Sequence, residues 1–135
     1  KRVVKSEGTL AAYVWDIPSE GLPIDPIHAE FRKRGIDYPL PPNSDVSNID
    51  KLKILWTEAG LRSLECKQIK VSRSFKNFEE FWNINASVQA VTTVLDELSP
   101  QTVIEIRSNV ERELDYDSNG SVVVHGHANA IKGIV

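Results

Sequence analysis

Methionine is absent from these 135 residues, and cysteine occurs once, as Cys66. A sequence without methionine cannot begin at its own initiation codon. A processed terminus would account for that, but the expectation carried forward is a piece of a larger protein. One cysteine excludes an internal disulfide and suits a reducing cytoplasm. No apolar run approaches the roughly 20 residues that a membrane-spanning helix needs, and no signal-peptide pattern is present. Excess positive charge is also missing: the net charge is −3 and the basic residues form no stripe, which argues against nucleic acid as a partner. The seven glycines are scattered and never form G-x-G, so a phosphate-cradling glycine turn is lacking. What remains, 41% hydrophobic and 26% charged, is the composition of one folded domain over 1–135 with a modest core.

The most apolar stretch is Thr9–Trp15, which holds β-branched, aromatic and small residues and no charge. It reads as a strand covered on both faces. Asp16 ends it abruptly, and Pro18 and Gly21 mark the turn beyond. A buried strand opening at its carboxyl end into a polar loop is where open α/β sheets hold ligands. Ahead of it, Lys1, Arg2 and Lys5 around Val3 and Val4 read as the last turn of a helix.

From Ile17 to Ser47 the chain carries six of its seven prolines, a lid-like loop with a short helix over His28–Gly35. Ser47 and Asp50 then resemble a capping box. Behind them Ile49, Leu52, Leu55, Trp56 and Ala59 repeat at helical spacing, and Gly60 stops the helix. A second strand is expected over about 62–73. A helical excursion follows over 75–114, opened by Asn77 with Glu80 and again by Ser99-Pro100. Residues 115–120 read as a turn and about 121–132 as a last strand.

Four segments, in this order, resemble the C-terminal half of a class I S-adenosylmethionine-dependent methyltransferase of the methyltransferase type 11-like kind. Arg2-Val3-Val4-Lys5-Ser6-Glu7-Gly8-Thr9-Leu10 is similar to that family's R-V-L-K-P-G-G-T-L turn, with Ser6-Glu7 in place of Pro-Gly. Ala12–Asp16 resembles its fifth strand, and Leu55-Trp56-Thr57-Glu58-Ala59-Gly60-Leu61 the helix end before its sixth. Ala128–Gly133 resembles the seventh strand of one bacterial subgroup. The resemblance implies an α/β, partial Rossmann-like fold with four to five helices. Its three-stranded mixed sheet would have the last strand central and antiparallel to the other two. It also implies S-adenosylmethionine as cofactor of the full-length parent and a small-molecule acceptor. The cofactor-binding turn and acidic strand end belong to the other half, so no cofactor is expected on this chain alone, which would be inactive and form the acceptor side of the cleft. Half a sheet leaves an uncovered edge, so self-association through that edge is expected. A non-catalytic binding or dimerisation module derived from the same fold is the alternative.

The candidate substrate-binding residues are Tyr13, Trp15, Asp16, His28, Phe31 and Trp82. Asp16 would orient an acceptor or act as a base at the strand's end; the plainer reading is a solvated or N-capping aspartate. Tyr13 and Trp15 would line the pocket, or would simply be core. His28 with Phe31 lies in the lid, where a surface histidine is the commoner outcome. Trp82 with Phe75, Phe78 and Phe81 forms an aromatic cluster at helical spacing, which more often means packing. His125-x-His127 has a spacing able to chelate zinc or copper, but no third ligand is evident and metal is not expected. No catalytic residue is assigned.

Overall fold

A computed structural model describes residues 4–135 of the chain. Among them are four strands, β1 (Thr9–Trp15), β2 (Arg62–Phe75), β3 (Asp115–Tyr116) and β4 (Val122–Ile134). Five α-helices accompany them: α1 (Asp25–Lys33), α2 (Ile49–Glu58), α3 (Phe78–Ala86), α4 (Gln89–Glu97) and α5 (Pro100–Glu113). The strands form one open α/β sheet in the order β1-β4-β2, with β3 paired to β4. The last strand is therefore central, as expected. The sheet has four strands rather than three, because the expected turn at 115–120 begins with two residues, Asp115 and Tyr116, that pair with Val123 and Val122. Nor is it mixed: β4 separates β1 from β2, so the bonded pairs are antiparallel. The β3–β4 hairpin closes on Asp117, whose Oδ1 accepts the N–H groups of Asn119 and Ser121 at 2.8 and 2.9 Å. Gly120 takes the left-handed conformation there (φ 80°), which a side chain would strain.

Two compact units divide the chain. The first, here the sheet unit, takes the chain up to Leu22, Pro42–Val71 and Gly126–Val135; the second, the helical unit, takes Pro23–Pro41 and Ser72–His125.

In the sheet unit, β1 and β4 pair in the register Leu10↔Gly133, Ala12↔Ile131 and Val14↔Asn129, alternating with Ala11↔Lys132, Tyr13↔Ala130 and Trp15↔Ala128. Opposed residues share a face. The first set faces α2, whose Leu52 and Trp56 are buried with Leu61 and Ile131, while Leu10, Val14, Leu64 and Cys66 pack around them. The second set faces away from that core. Thus β1 is not covered on both faces: it is an edge strand, and Tyr13 is 80% exposed. An uncharged sequence satisfies β-propensity equally well on a bare face and a covered one. Leu55, expected on the buried side of α2, is exposed. The α2 cap is Asn48, whose Oδ1 accepts from the N–H groups of Asp50 (3.0 Å) and Lys51 (3.4 Å), rather than Ser47. Residues 4–7 form a bend and turn with Gly8 N–H donating to the Lys5 carbonyl, so they are not a helix end; Lys1, Arg2 and Val3 lie outside the described residues.

The helical unit has the larger core. Phe31, Phe81, Val91 and Ile106 have no exposed surface, and Phe75, Phe78, Trp82, Val110 and Leu114 are buried with them. Its helices start where the sequence indicates. Asn77 Oδ1 accepts the Glu80 N–H at 2.9 Å, and Ser99 Oγ accepts the Thr102 N–H at 3.1 Å, with Pro100 as the first helical residue. α1 starts three residues earlier than expected, with Pro26 in its first turn.

Candidate functional site

The carboxyl end of β1 carries a buried polar cluster, all of it within the sheet unit. Asp16 is 4% exposed, an expensive place for a carboxylate. Backbone bonds hold it there: its N–H donates to the His127 carbonyl at 3.1 Å, and its carbonyl accepts from Ser19 (3.2 Å) and Gly21 (2.9 Å). The His127 N–H in turn donates to the Gly21 carbonyl at 2.9 Å. Gly21 is required by this closeness, since a Cβ there would stand 2.5 Å from the His127 carbonyl oxygen. The turn Ile17–Ser19 leaves Asp16 at its N-cap position, yet the side chain makes no capping bond. The capping reading of Asp16 is therefore set aside.

The side chains around Asp16 come from three separate parts of the chain. His127 Nε2 lies 3.7 Å from Asp16 Oδ2, an ion pair whenever the ring is protonated, and the imidazole keeps 24% of its side-chain surface exposed. Ser47, displaced from its expected capping role, accepts the Ile17 N–H on Oγ at 3.2 Å and donates to the Ser44 carbonyl at 2.6 Å. Asn129, fully buried, donates from Nδ2 to the Ser47 carbonyl at 2.9 Å. Asp16 Oδ1 and Asn129 Oδ1 are buried without a hydrogen-bond partner. Such orphaned acceptors carry a desolvation penalty of about 1–3 kcal/mol each unless a donor reaches them. The cluster thus places unpartnered carboxyl and amide oxygens beside a partly exposed imidazole. Asp16 Oδ1 has an acceptor position to spare, and the His127 imidazole stands beside Oδ2.

Tyr13 and Trp15 lie on the opposite face of β1 from this cluster, with Ala128 and Ala130 opposite them on β4. That open face bears a hollow of about 730 Å³ whose lining includes Ala11, Tyr13, Glu65, Ile69, Ala130 and Lys132. Neither aromatic is core, and neither points where Asp16 points.

The other three candidates belong to the helical unit. His28 is 3% exposed rather than on the surface. Its ring stacks on Tyr38 at 4.3 Å between centroids, its Nδ1 lies 3.6 Å from Asp25 Oδ1, and both ring nitrogens are buried without a hydrogen bond. Phe31 lies tilted 5.9 Å from Tyr38 and has no exposed surface. Trp82 is buried against Phe78 at 6.0 Å, with the Arg107 guanidinium 5.9 Å over its ring. The segment expected as a lid is, across α1, a helix tied to α5. Glu30, buried, accepts from Asn109 Nδ2 at 3.0 Å and pairs with Lys33 (3.1 Å) and Arg34 (3.6 Å). Lys33 also pairs with Glu113, and Arg34 with Glu105 at 3.2 Å. Burial pushes the Glu30 carboxyl up, but the Asn109 hydrogen bond and the two cations outweigh it and hold the group below its ordinary value.

Among the described residues no group of three or more His, Cys, Asp and Glu side chains is placed to hold a metal ion. His127 is engaged with Asp16, and His125 is exposed. Sequence reasoning missed Ser47 and Asn129 as site residues. Asn129 had left a signal: a lone amide inside an apolar strand asks for a buried partner. No helix among the described residues is long and apolar enough to cross a membrane. No protein-family model matches the chain, and no curated protein matches it either.

Proposed function

We propose that the chain is the C-terminal, acceptor-side portion of a cytoplasmic S-adenosylmethionine-dependent methyltransferase with a Rossmann-like sheet, acting on a small molecule. The observation that carries this reading is the strand order: β4 lies between β1 and β2, with α2 in the connection from β1 to β2. Hydrophobic periodicity does not predict that order, whereas the resemblance does. The buried Asp16 at the carboxyl end of β1 supports it further. A hydroxyl or amine of an acceptor would donate to its unpartnered Oδ1, with His127 next to it to receive the proton.

The residues present do not fit the cofactor itself. No glycine-rich turn occurs, and Asp16 ends the strand that would be the family's fifth, not the second, whose acidic end holds the ribose. When bound to the parent, S-adenosylmethionine supplies the methyl group; this chain's share is orientation of the acceptor and exclusion of water. The bare edge of β1 would make the chain self-associate.

Calorimetry with S-adenosylmethionine tests the reading on two proteins, this chain and the same chain carrying the coding sequence found upstream of Lys1. The longer protein is expected to bind at micromolar concentration and the shorter one not at all. Binding by neither, or equal binding by both, overturns it. The open apolar face bearing Tyr13, Ile69 and Val71 favours the second reading, a non-catalytic binding or dimerisation module. A longer protein that fails to bind the cofactor would leave that module standing.

A further inference from the structure

We propose that two copies of this chain join through β1 in one antiparallel register, with a two-fold axis at Ala12. This sharpens the edge association above for this chain by itself; it does not rest on the methyl-transfer reading, under which a preceding half of the parent would cover the same edge. Among the described residues, β4 is the one strand bonded to β1. The Asp16 N–H donates to the His127 carbonyl, and the Val135 N–H donates to the Gly8 carbonyl. Backbone direction alternates along a strand, so the even-numbered residues from 8 to 16 bond β4. The amides and carbonyls of Thr9, Ala11, Tyr13 and Trp15 therefore face the free edge. Natural edges are guarded by Lys, Glu, Pro or a bulge; Thr9–Trp15 contains none of those residues.

An axis at Ala12 sets Thr9 against Trp15, Leu10 against Val14 and Ala11 against Tyr13 of the second copy. Each large side chain then meets a small or complementary one, and the 80%-exposed Tyr13 ring extends over the second copy's Ala11, at the rim of its hollow. Leu10 and Val14 extend the apolar layer on the α2 face. About eight new backbone hydrogen bonds form from the outward groups. Moving the axis to Tyr13 would oppose Leu10 to Asp16, and moving it to Ala11 would oppose Trp15 to Glu7. Only the Ala12 axis matches all seven residues without a carboxylate.

Sedimentation equilibrium of the chain at micromolar concentration is expected to give twice the 15.1 kDa chain mass. Ala12→Cys in a Cys66→Ser background should cross-link through most of the protein on mild oxidation. The two Ala12 Cα atoms would lie about 4.5 Å apart in a non-hydrogen-bonded pair, within disulfide reach. Leu10→Cys, opposite Val14, should cross-link at least tenfold less. Ala11→Pro removes an outward N–H and no β4 bond, so it should halve the mass while leaving the circular dichroism unchanged. If that variant loses its dichroism, Ala11→Lys takes its place with the same expectation. A monomeric chain, equal cross-linking at residues 10 and 12, or a dimer that survives the edge substitution would each overturn the proposal.

Discussion

The two units differ in how they treat their apolar residues. The helical unit closes on itself: its helices carry side-chain caps at Asn77 and Ser99, and Phe31, Phe81, Val91 and Ile106 have no exposed surface. The sheet unit covers one face of β1 with α2 and leaves the other bare. Among the described residues its core cluster has four buried members against thirteen in the helical unit, so stability is expected to be unevenly distributed. Buried polar groups do not follow that contrast. The helical unit surrounds Glu30 with partners but leaves both His28 ring nitrogens without a hydrogen bond, and the sheet unit leaves Asp16 Oδ1 and Asn129 Oδ1 so. What sets the sheet unit apart is the uncovered face, which a unit shaped for something outside itself displays.

The strongest test of that asymmetry truncates one aromatic in each unit. Phe81→Ala should cost about 3–5 kcal/mol, because the ring is fully enclosed and meets Phe75 edge-on. Tyr13→Ala should cost under about 0.5 kcal/mol in the unassociated chain, as exposed positions do. Urea midpoints for both variants check the pair. Equal losses would mean that the bare face is covered in solution.

A second, smaller effect is pH-dependent and confined to the helical unit. The Glu30 carboxyl is held below its ordinary value of 4.5, so its charged form is favoured by folding. Its contribution is complete above about pH 4.5 and is lost as pH falls through the lowered folded value. Glu30→Gln keeps the acceptor for Asn109 but drops the attraction to Lys33 and Arg34, and should cost about 1–2 kcal/mol at neutral pH. Below the lowered value the gap to the parent chain should close. Urea unfolding at a series of pH values measures it, and a gap that widens in acid would contradict the assignment.

How much of this was legible follows the range of the forces involved. Caps and helix faces are local, and Asn77, Ser99-Pro100 and the stripe Ile106–Val110–Leu114 read correctly. Pro26 marks the first turn of α1 locally, whereas the burial of His28 against Tyr38 depends on a partner beyond the helix and leaves no mark in a proline-rich loop. Burial of a strand is not local. Thr9–Trp15 carries no mark of which face will be covered, because that is decided by α2 and β4, far away in sequence. The Asp16–His127 pair is hidden for the same reason: it exists through the β1–β4 register, which no short window contains. The central position of β4 came from the family resemblance, not from any pattern in its residues.

The smallest effect concerns the N-cap of α2. Ser47 and Asn48 are adjacent, and either residue type is a good N-cap. Asn48 Oδ1 receives both first-turn N–H groups of α2, while Ser47 Oγ bonds the Ile17 N–H and the Ser44 carbonyl. Asn48→Ala should therefore cost about 1 kcal/mol, expressed as faster amide exchange at the start of α2. Ser47→Ala should leave the α2 amides alone and instead release the Ile17 N–H, behind the turn that buries Asp16. Residue-resolved hydrogen exchange on the two variants separates the roles. The same exchange profile reversed would return the cap to Ser47 and remove one of the restraints that hold the polar cluster at the end of β1.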